Sequence, residues 1–347
     1  MRAFDYEATA MSCIDNEIVN LLIEIHERNV KLNCILESDK YDFSDFAKQA
    51  NLESIISSVR MDYAHFSERL IDWLSLNIEP FSRDEKELCG YRDNLDAIFK
   101  AKRPRSIEDF RTLHEIYKEY DEGEGYFILR YNNHNVIKNS KSGASILKLE
   151  PVDFKLIDDY INEISLPSYS AIWNGDVDFL LVLPICILDF IKTNPLHYTS
   201  MQMSRLLMLA MLWGKNYQIG KYISLERIIE DSSDEYYRAI ADSIEHWEEG
   251  HNDYKPFVKY ILQAILKAYK EFEKRTEYIV IEPISKPERV EQYIMDSNRE
   301  ITKREIMHYC PDISETTIEV ALRELKNAGK IEKIGGGRYT RYKYRRT

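Results

Sequence analysis

A mostly helical protein, with one short β-hairpin in its middle and a separate, smaller unit at its C-terminus, is what the sequence predicts. Three observations carry this. The first hundred or so residues place apolar side chains at helical spacing and show no strand signal. Residues 177–213 hold two strongly apolar helical runs of the kind that lie at the centre of a fold. The two-proline segment IEPISKP, residues 281–287, leads into a stretch of different composition that closes on two strand-like segments around Gly335-Gly336-Gly337.

Taken in order, the first helix starts near Asp15, where Ile18, Leu21, Leu22, Ile25 and Leu32 recur on one face. Further helices follow over about 46–76, 84–99 and 106–119, the last opened by Ser106 with two acids in its first turn, as a helix N-terminus prefers. GEGYFILRYNNHNVI, Gly123 to Ile137, breaks the pattern. Its aromatic and β-branched residues around Asn132-Asn133 predict a short hairpin. The polar run KNSKSGAS, residues 138–145, reads as a loop, and Pro151 opens an amphipathic helix through about Glu163. The apolar runs VDFLLVLPICILDFIK and SMQMSRLLMLAMLW come next, separated by TNPLHYT. Helices over 222–230, 234–247 and Tyr254–Lys274 complete the main part. This divides the chain into a helical region 1–120, a core 121–280 and a C-terminal unit 281–347.

With 347 residues, 44% apolar and 31% charged, the chain has enough material for two or three units with buried cores and reads as soluble and globular. No apolar run reaches the roughly 18 to 20 residues of a membrane span, and MRAFDYEATA lacks the basic-then-apolar order of a signal peptide. A cytoplasmic protein without a membrane partner is expected. Cys13, Cys34, Cys89, Cys186 and Cys310 show neither CxxC spacing nor a nearby histidine cluster, so they read as reduced thiols rather than zinc ligands or disulfides. The net charge of −12 means that any nucleic-acid contact has to be local. From Lys326 onward eight basic residues stand against one acid, a net +7, and the rest of the chain carries −19.

Between the two apolar runs lies N194-PLHYTSMQMS-R205. With this proline-bearing loop wedged between two core helices, the chain resembles the Fic family, whose active members carry HxFx(D/E)GNGRxxR there. Aligned on Pro195 and Arg205, Asn194 stands where the family has its histidine, Leu196 its phenylalanine, Tyr198 its acid, Thr199 and Met201 its glycines, Ser200 its asparagine and Gln202 its first arginine. His197 falls on the variable position. The flanks extend the resemblance. YISLERIIEDSSDEYYRAI (222–240) and YKPFVKYILQAI (254–265) are similar to the segments that follow the motif, FILR (127–130) to the flap that holds the target, and SVRMDY (58–63) to the inhibitory (S/T)xxxE(G/N) helix through Ser58 and Asp62. Covering about residues 10 to 275, the resemblance implies a mostly α, Fic-type helical domain with a small β-hairpin flap.

It also implies what is missing. The family's histidine is a general base, and asparagine cannot accept a proton near neutral pH. The family's acid holds Mg²⁺ against phosphates, for which neutral Tyr198 is a poor substitute. Thr199 and Met201 bring Cβ atoms to an anion-binding turn, and Gln202 brings no charge. Loss of a base alone costs about 10² to 10⁴ in rate, with charge stabilisation adding to that. Conventional AMP transfer is therefore expected to be undetectable, with no cofactor required. The family's inhibitory acid pairs with the second arginine, so a salt bridge from Asp62 to Arg205 is expected.

Residues 286–347 read helix, helix, helix, Gly-tipped hairpin, the order of a winged helix-turn-helix, with Thr302 and Ser314 opening the second and third helices. Thr316, Thr317 and Arg323 lie on the outer face of the third helix beside Glu315 and Glu319. The hairpin interleaves Arg338, Arg341, Lys343 and Arg345 with tyrosines, which suits phosphate contact and stacking. The leading expectation is a catalytically degenerate Fic-fold regulator of bacterial type, a pseudoenzyme whose winged helix binds DNA or a protein partner. Two alternatives stand beside it. One is a Fic-type AMP or other phosphate-group transferase with atypical residues, which alone would use ATP and Mg²⁺. The other is a protein-binding scaffold, with a homodimer among its forms.

Overall fold

The computed structural model describes residues 2–62, 73, 79–103, 105–121, 128–140 and 143–345, with Arg338 by its backbone alone. Most of the expected helix beyond Asp62, the Gly123–Phe127 part of the expected hairpin, Lys141, Ser142 and Arg346 lie outside the described residues.

The chain is built mainly of helices. Among the described residues five come first: α1 (Tyr6–Ser12), α2 (Asn16–Glu37), α3 (Ser44–Asp62), α4 (Arg83–Lys100) and α5 (Asp109–Lys118). Asp5, Asp15 and Ser82 cap α1, α2 and α4 by accepting backbone N–H bonds, and Ser82 forms a reciprocal capping box with Glu85. Helix α1 carries no long periodic pattern and was not expected. Tyr6 and Ala10 bury it, and the Tyr6 hydroxyl donates to Asp189 at 2.8 Å. Helix α5 begins at Asp109 rather than Ser106, because Asp109 turns back to accept from the Ser106 N–H and from Arg105.

The hairpin forms one element later than the sequence suggested. Strands β1 (Val136–Asn139) and β2 (Ser145–Leu149) pair antiparallel, Val136 opposite Leu149 and Lys138 opposite Leu147. The polar run read as a loop supplies the turn, with Gly143 at φ 83°, and Leu147 and Leu149 bury its inner face. Asn132-Asn133 makes no hairpin turn. The Asn132 carbonyl and Asn133 Oδ1 instead accept from Arg130, and Asn133 Oδ1 also receives the Phe154 N–H.

Helices α6 (Ile157–Asn174), α7 (Phe179–Thr193), α8 (Ser200–Gly214), α9 (Leu225–Asp231), α10 (Ser233–Ile244) and α11 (Lys255–Val280) complete the main core. All fifteen residues of α7 are buried, as are all of α8 but its final glycine. Apolarity all round a helix permits nothing else in a soluble setting. Helix α6 runs past the expected end at Glu163 and through Pro167 to Asn174, and α11 runs six residues past Lys274. A second, separate core is formed by α12 (Lys286–Ser297), α13 (Lys303–Tyr309), α14 (Glu315–Asn327) and the antiparallel pair β3 (Ile331–Ile334) and β4 (Arg341–Tyr344). Reciprocal bonds between Ile301 and Tyr342 add a third short rung beside β4. Among the described residues no helix is long and apolar enough to cross a membrane.

Candidate functional site

The loop from α7 to α8 is held by backbone pairing and one buried cation. Asn194 ends α7 in the left-handed conformation, φ 46° and ψ 61°, which asparagine tolerates better than other residues with a Cβ. Its side chain is shut inside. Residues 195–197 then run antiparallel to 128–130, with the Arg130 N–H donating to the Pro195 carbonyl at 2.8 Å and the His197 N–H to the Ile128 carbonyl at 3.0 Å. The buried Arg130 guanidinium donates to the carbonyls of Asn194 (2.9 Å), Thr193 (3.2 Å) and Val152 (2.5 Å). A cation there also complements the negative end of α7.

The turn closes on Ser200, whose Oγ accepts from the Leu196 N–H at 2.9 Å and donates to the Leu196 carbonyl at 3.1 Å. Helix α8 has begun by that residue. Thr199 has φ −96° and Met201 is helical, so the Cβ clash expected from positive φ does not arise. What the side chains do is fill the space, for Thr199, Ser200, Met201 and Gln202 are all buried. Gln202 accepts from Tyr117 Oη at 2.9 Å, and its Nε2 lies 3.4 Å from Oε2 of the buried Glu87. Arg83 donates to Glu87 Oε1 at 3.1 Å and stacks over the Tyr198 ring at 4.3 Å. A carboxylate therefore sits where an anion would approach the start of α8. His197 packs against His134 and Tyr131. Burial first, then the nearby His134 and Arg83, hold its pKa below the ordinary histidine value.

The far end of the site is an ion-paired clamp. Arg205, 1% exposed, donates from Nη2 to Asp62 Oδ2 at 2.8 Å, to the Ser58 carbonyl at 3.0 Å and to Ser58 Oγ at 2.9 Å. Asp62 Oδ1 takes a second cation, Lys138 Nζ at 2.7 Å, and Tyr237 Oη donates to the Met61 carbonyl at 3.2 Å. Lys138 reaches inward because it shares the face of β1 that stands opposite Leu147. Burial alone would raise the Asp62 carboxyl, but Lys138 and Arg205 outweigh it and hold the pKa below the usual carboxylate value. The same pairing raises the Arg205 guanidinium against its own burial.

A solved structure of a Fic family protein from Desulfovibrio desulfuricans G20 superposes on this chain with a TM-score of 0.57, covering 96% of this chain and 97% of that one at 17% identity. The chain has the Fic fold. A Fic domain containing signaling protein from Bacteroides thetaiotaomicron VPI-5482 is more distant, at 11% identity and TM-score 0.49 over 74% of this chain and 95% of that one. No protein-family model and no curated protein matches the sequence.

Of the loop positions Asn194 to Arg205, Arg205 is the one that meets the helix positions Ser58 and Asp62. The residues that sequence reasoning missed are Arg130, Glu87, Arg83 and Lys138. Arg130 stood in the quoted FILR segment but had no assigned role, and Lys138 fell in a run read as loop. Nothing in the spacing of α4 marked Glu87 as inward.

The C-terminal candidates form a second surface. A cleft of about 740 Å³ opens between α13, α14 and the hairpin tip, lined by Lys303, Arg304, Arg323, Lys326 and Lys333 over Leu322 and Tyr342. Arg341, Lys343 and Arg345 are exposed on the hairpin's outer side, and Thr316 and Arg323 on the outer face of α14. Thr317 is half-buried, its hydroxyl bonded to the capping Ser314. Glu315 and Glu319 both accept from Lys303, at 2.6 and 2.7 Å, so they do not confront the solvent as unpaired charges. Tyr342 and Tyr344 are half-buried against the second core, Tyr342 also lining the cleft, whereas Tyr339 is 69% exposed.

Proposed function

We propose that the protein is a catalytically silent Fic-fold regulator whose C-terminal unit is a winged helix that binds nucleic acid. Silence is supported by the loop chemistry. Asn194 is a buried helix cap, Tyr198 supplies no carboxylate and its ring stacks on Arg83, and Gln202 is bonded to Glu87 rather than presenting a positive charge. These residues do not fit a Mg²⁺–nucleotide. Nucleic-acid binding is carried by the cleft between α14 and the hairpin. Five basic side chains line it against one acid, Glu319, which shares Lys303 with Glu315, so the cleft keeps a positive balance while the rest of the molecule is strongly acidic. Duplex affinity should fall linearly with the logarithm of salt concentration. Replacing Arg323, Lys326 and Lys333 with alanine should lower that slope by roughly 2 to 3 units, at about 0.9 per lost phosphate contact, with little dependence on sequence. A fluorescence-anisotropy titration over several salt concentrations checks this. An unchanged slope, or no binding at any salt, points to a protein partner instead.

A further inference from the structure

Helix α3 grips both halves of the molecule. At its C-terminal end, Ser58 and Asp62 hold Arg205 of α8 and Lys138 of β1. Toward its N-terminal end, Gln49 Nε2 donates to the His308 carbonyl at 3.1 Å, and Glu53 Oε1 lies 2.6 Å from His308 Nδ1. Glu53 is tied back to the main core through Arg227 at 3.2 Å. At about 100° per residue, the pair Gln49 and Glu53 and the pair Ser58 and Asp62 point in opposite directions around the helix. Their centres are about 14 Å apart along its axis. Between them the run Ser54–Val59 is buried on every side, as a helix pressed between two bodies must be.

What α3 holds at His308 is the end of α13. The last carbonyls of a helix have no partner within it, and buried ones need a donor from elsewhere. Here the main core supplies the donors. Arg275 of α11 donates to the carbonyls of His308 at 2.6 Å and Tyr309 at 3.3 Å, and Gln49 of α3 adds a second bond to His308. Tyr309 Oη returns a bond to the Lys274 carbonyl at 2.8 Å. Beside this junction, a cleft of about 720 Å³ runs between α3 and α13, with Leu52, Ile56, Met307 and Ile313 among its lining residues. One face of α3 meets Arg205 and Lys138 and the opposite face meets α13, so the two contacts share one rigid body.

We infer that α3 couples the Arg205 site to the C-terminal unit, so that loosening either grip loosens the other. An occupant that draws Arg205 away from Asp62 frees α3 to shift, and the shift withdraws Gln49 and Glu53 from α13. By linkage, a ligand on the C-terminal unit that favours release of α13 weakens the clamp by the same factor. This goes beyond the proposed function and does not depend on what the C-terminal unit binds.

Hydrogen–deuterium exchange on the full chain tests it. In Asp62→Asn, which keeps a hydrogen-bonding group but removes the charge, amides of residues 307–313 should exchange about five- to tenfold faster while those of 258–266 in α11 stay unchanged. In Gln49→Ala, amides of 136–139 in β1 should speed up in turn. In the double variant, the increase at 307–313 should fall well short of the product of the two single effects. If Asp62→Asn raises exchange everywhere, Lys138→Met, which leaves the Arg205 pair in place, is read at the same amides. Faster exchange confined to each variant's own end, or a double variant that multiplies simply, overturns the coupling.

Discussion

Arg205 carries a full charge into the centre of a helical core, and only the acid beside it makes that tolerable. With Arg205 at 1% and Asp62 at 6% side-chain exposure, removing Asp62 leaves Arg205 buried without a counter-charge, which typically costs about 3 to 5 kcal/mol, whereas removing Arg205 breaks the buried pair but leaves Asp62 on Lys138. Asp62→Ala and Arg205→Ala should each lower the melting temperature by several degrees. The double variant should lose less than the sum, because each single change already breaks the same contact. Simple additivity in a denaturant-unfolding cycle would show that the pair is not coupled. Both residues were legible in the sequence because they are the two ends of a pattern whose middle has changed. Their supporting groups were not. Lys138 looked like one polar residue among several, and its inward direction follows from pairing opposite Leu147, which only the correct strand register reveals.

At the scale of elements, α1, α7 and α11 meet on one buried acid. Asp189 accepts from Tyr6 Oη, from Trp247 Nε1 at 2.7 Å and from Tyr254 Oη at 2.5 Å. Burial raises its carboxyl to about 6 even though the three donors pull it down. The unfolded carboxyl titrates near 3.9. Because the native value is raised, the folded state holds the extra proton between those values, so the contribution to stability is full below about pH 4 and is lost as pH rises through 6. Between pH 5 and 7.5 the wild type should lose on the order of 1 kcal/mol relative to Asp189→Asn. Urea unfolding of both proteins at the two pH values measures that difference, and a constant offset would exclude Asp189 as its source.

The elements themselves were mostly readable. The apolar runs of α7 and α8 admit no other placement than the centre. The hairpin was misplaced because Asn132-Asn133 looked like a turn, whereas Arg130 had already claimed both residues. The polar stretch after it was free to turn around Gly143. Helix α1 escaped because seven residues are too few to show a period.

For the whole molecule, two cores sit on one chain with opposite electrostatic character, an acidic helical body and a basic C-terminal edge. Sequence alone suggested a separate C-terminal unit from its caps and its glycine-tipped strands. It could not show that the end of α13 is completed by Arg275 and Gln49 of the first core, since side chains over thirty residues or more away supply those bonds. On the proposed reading, a loop whose Asn194 is a buried helix cap and whose Gln202 lies beside the buried Glu87 should not transfer a nucleotide, even when the α3 clamp is opened. Incubating the purified protein and its Asp62→Ala variant with labelled ATP and Mg²⁺, then counting label fixed to protein, tests this directly. Background incorporation in both is predicted; incorporation above background in either one, abolished by replacing Asn194 or His197, would contradict it.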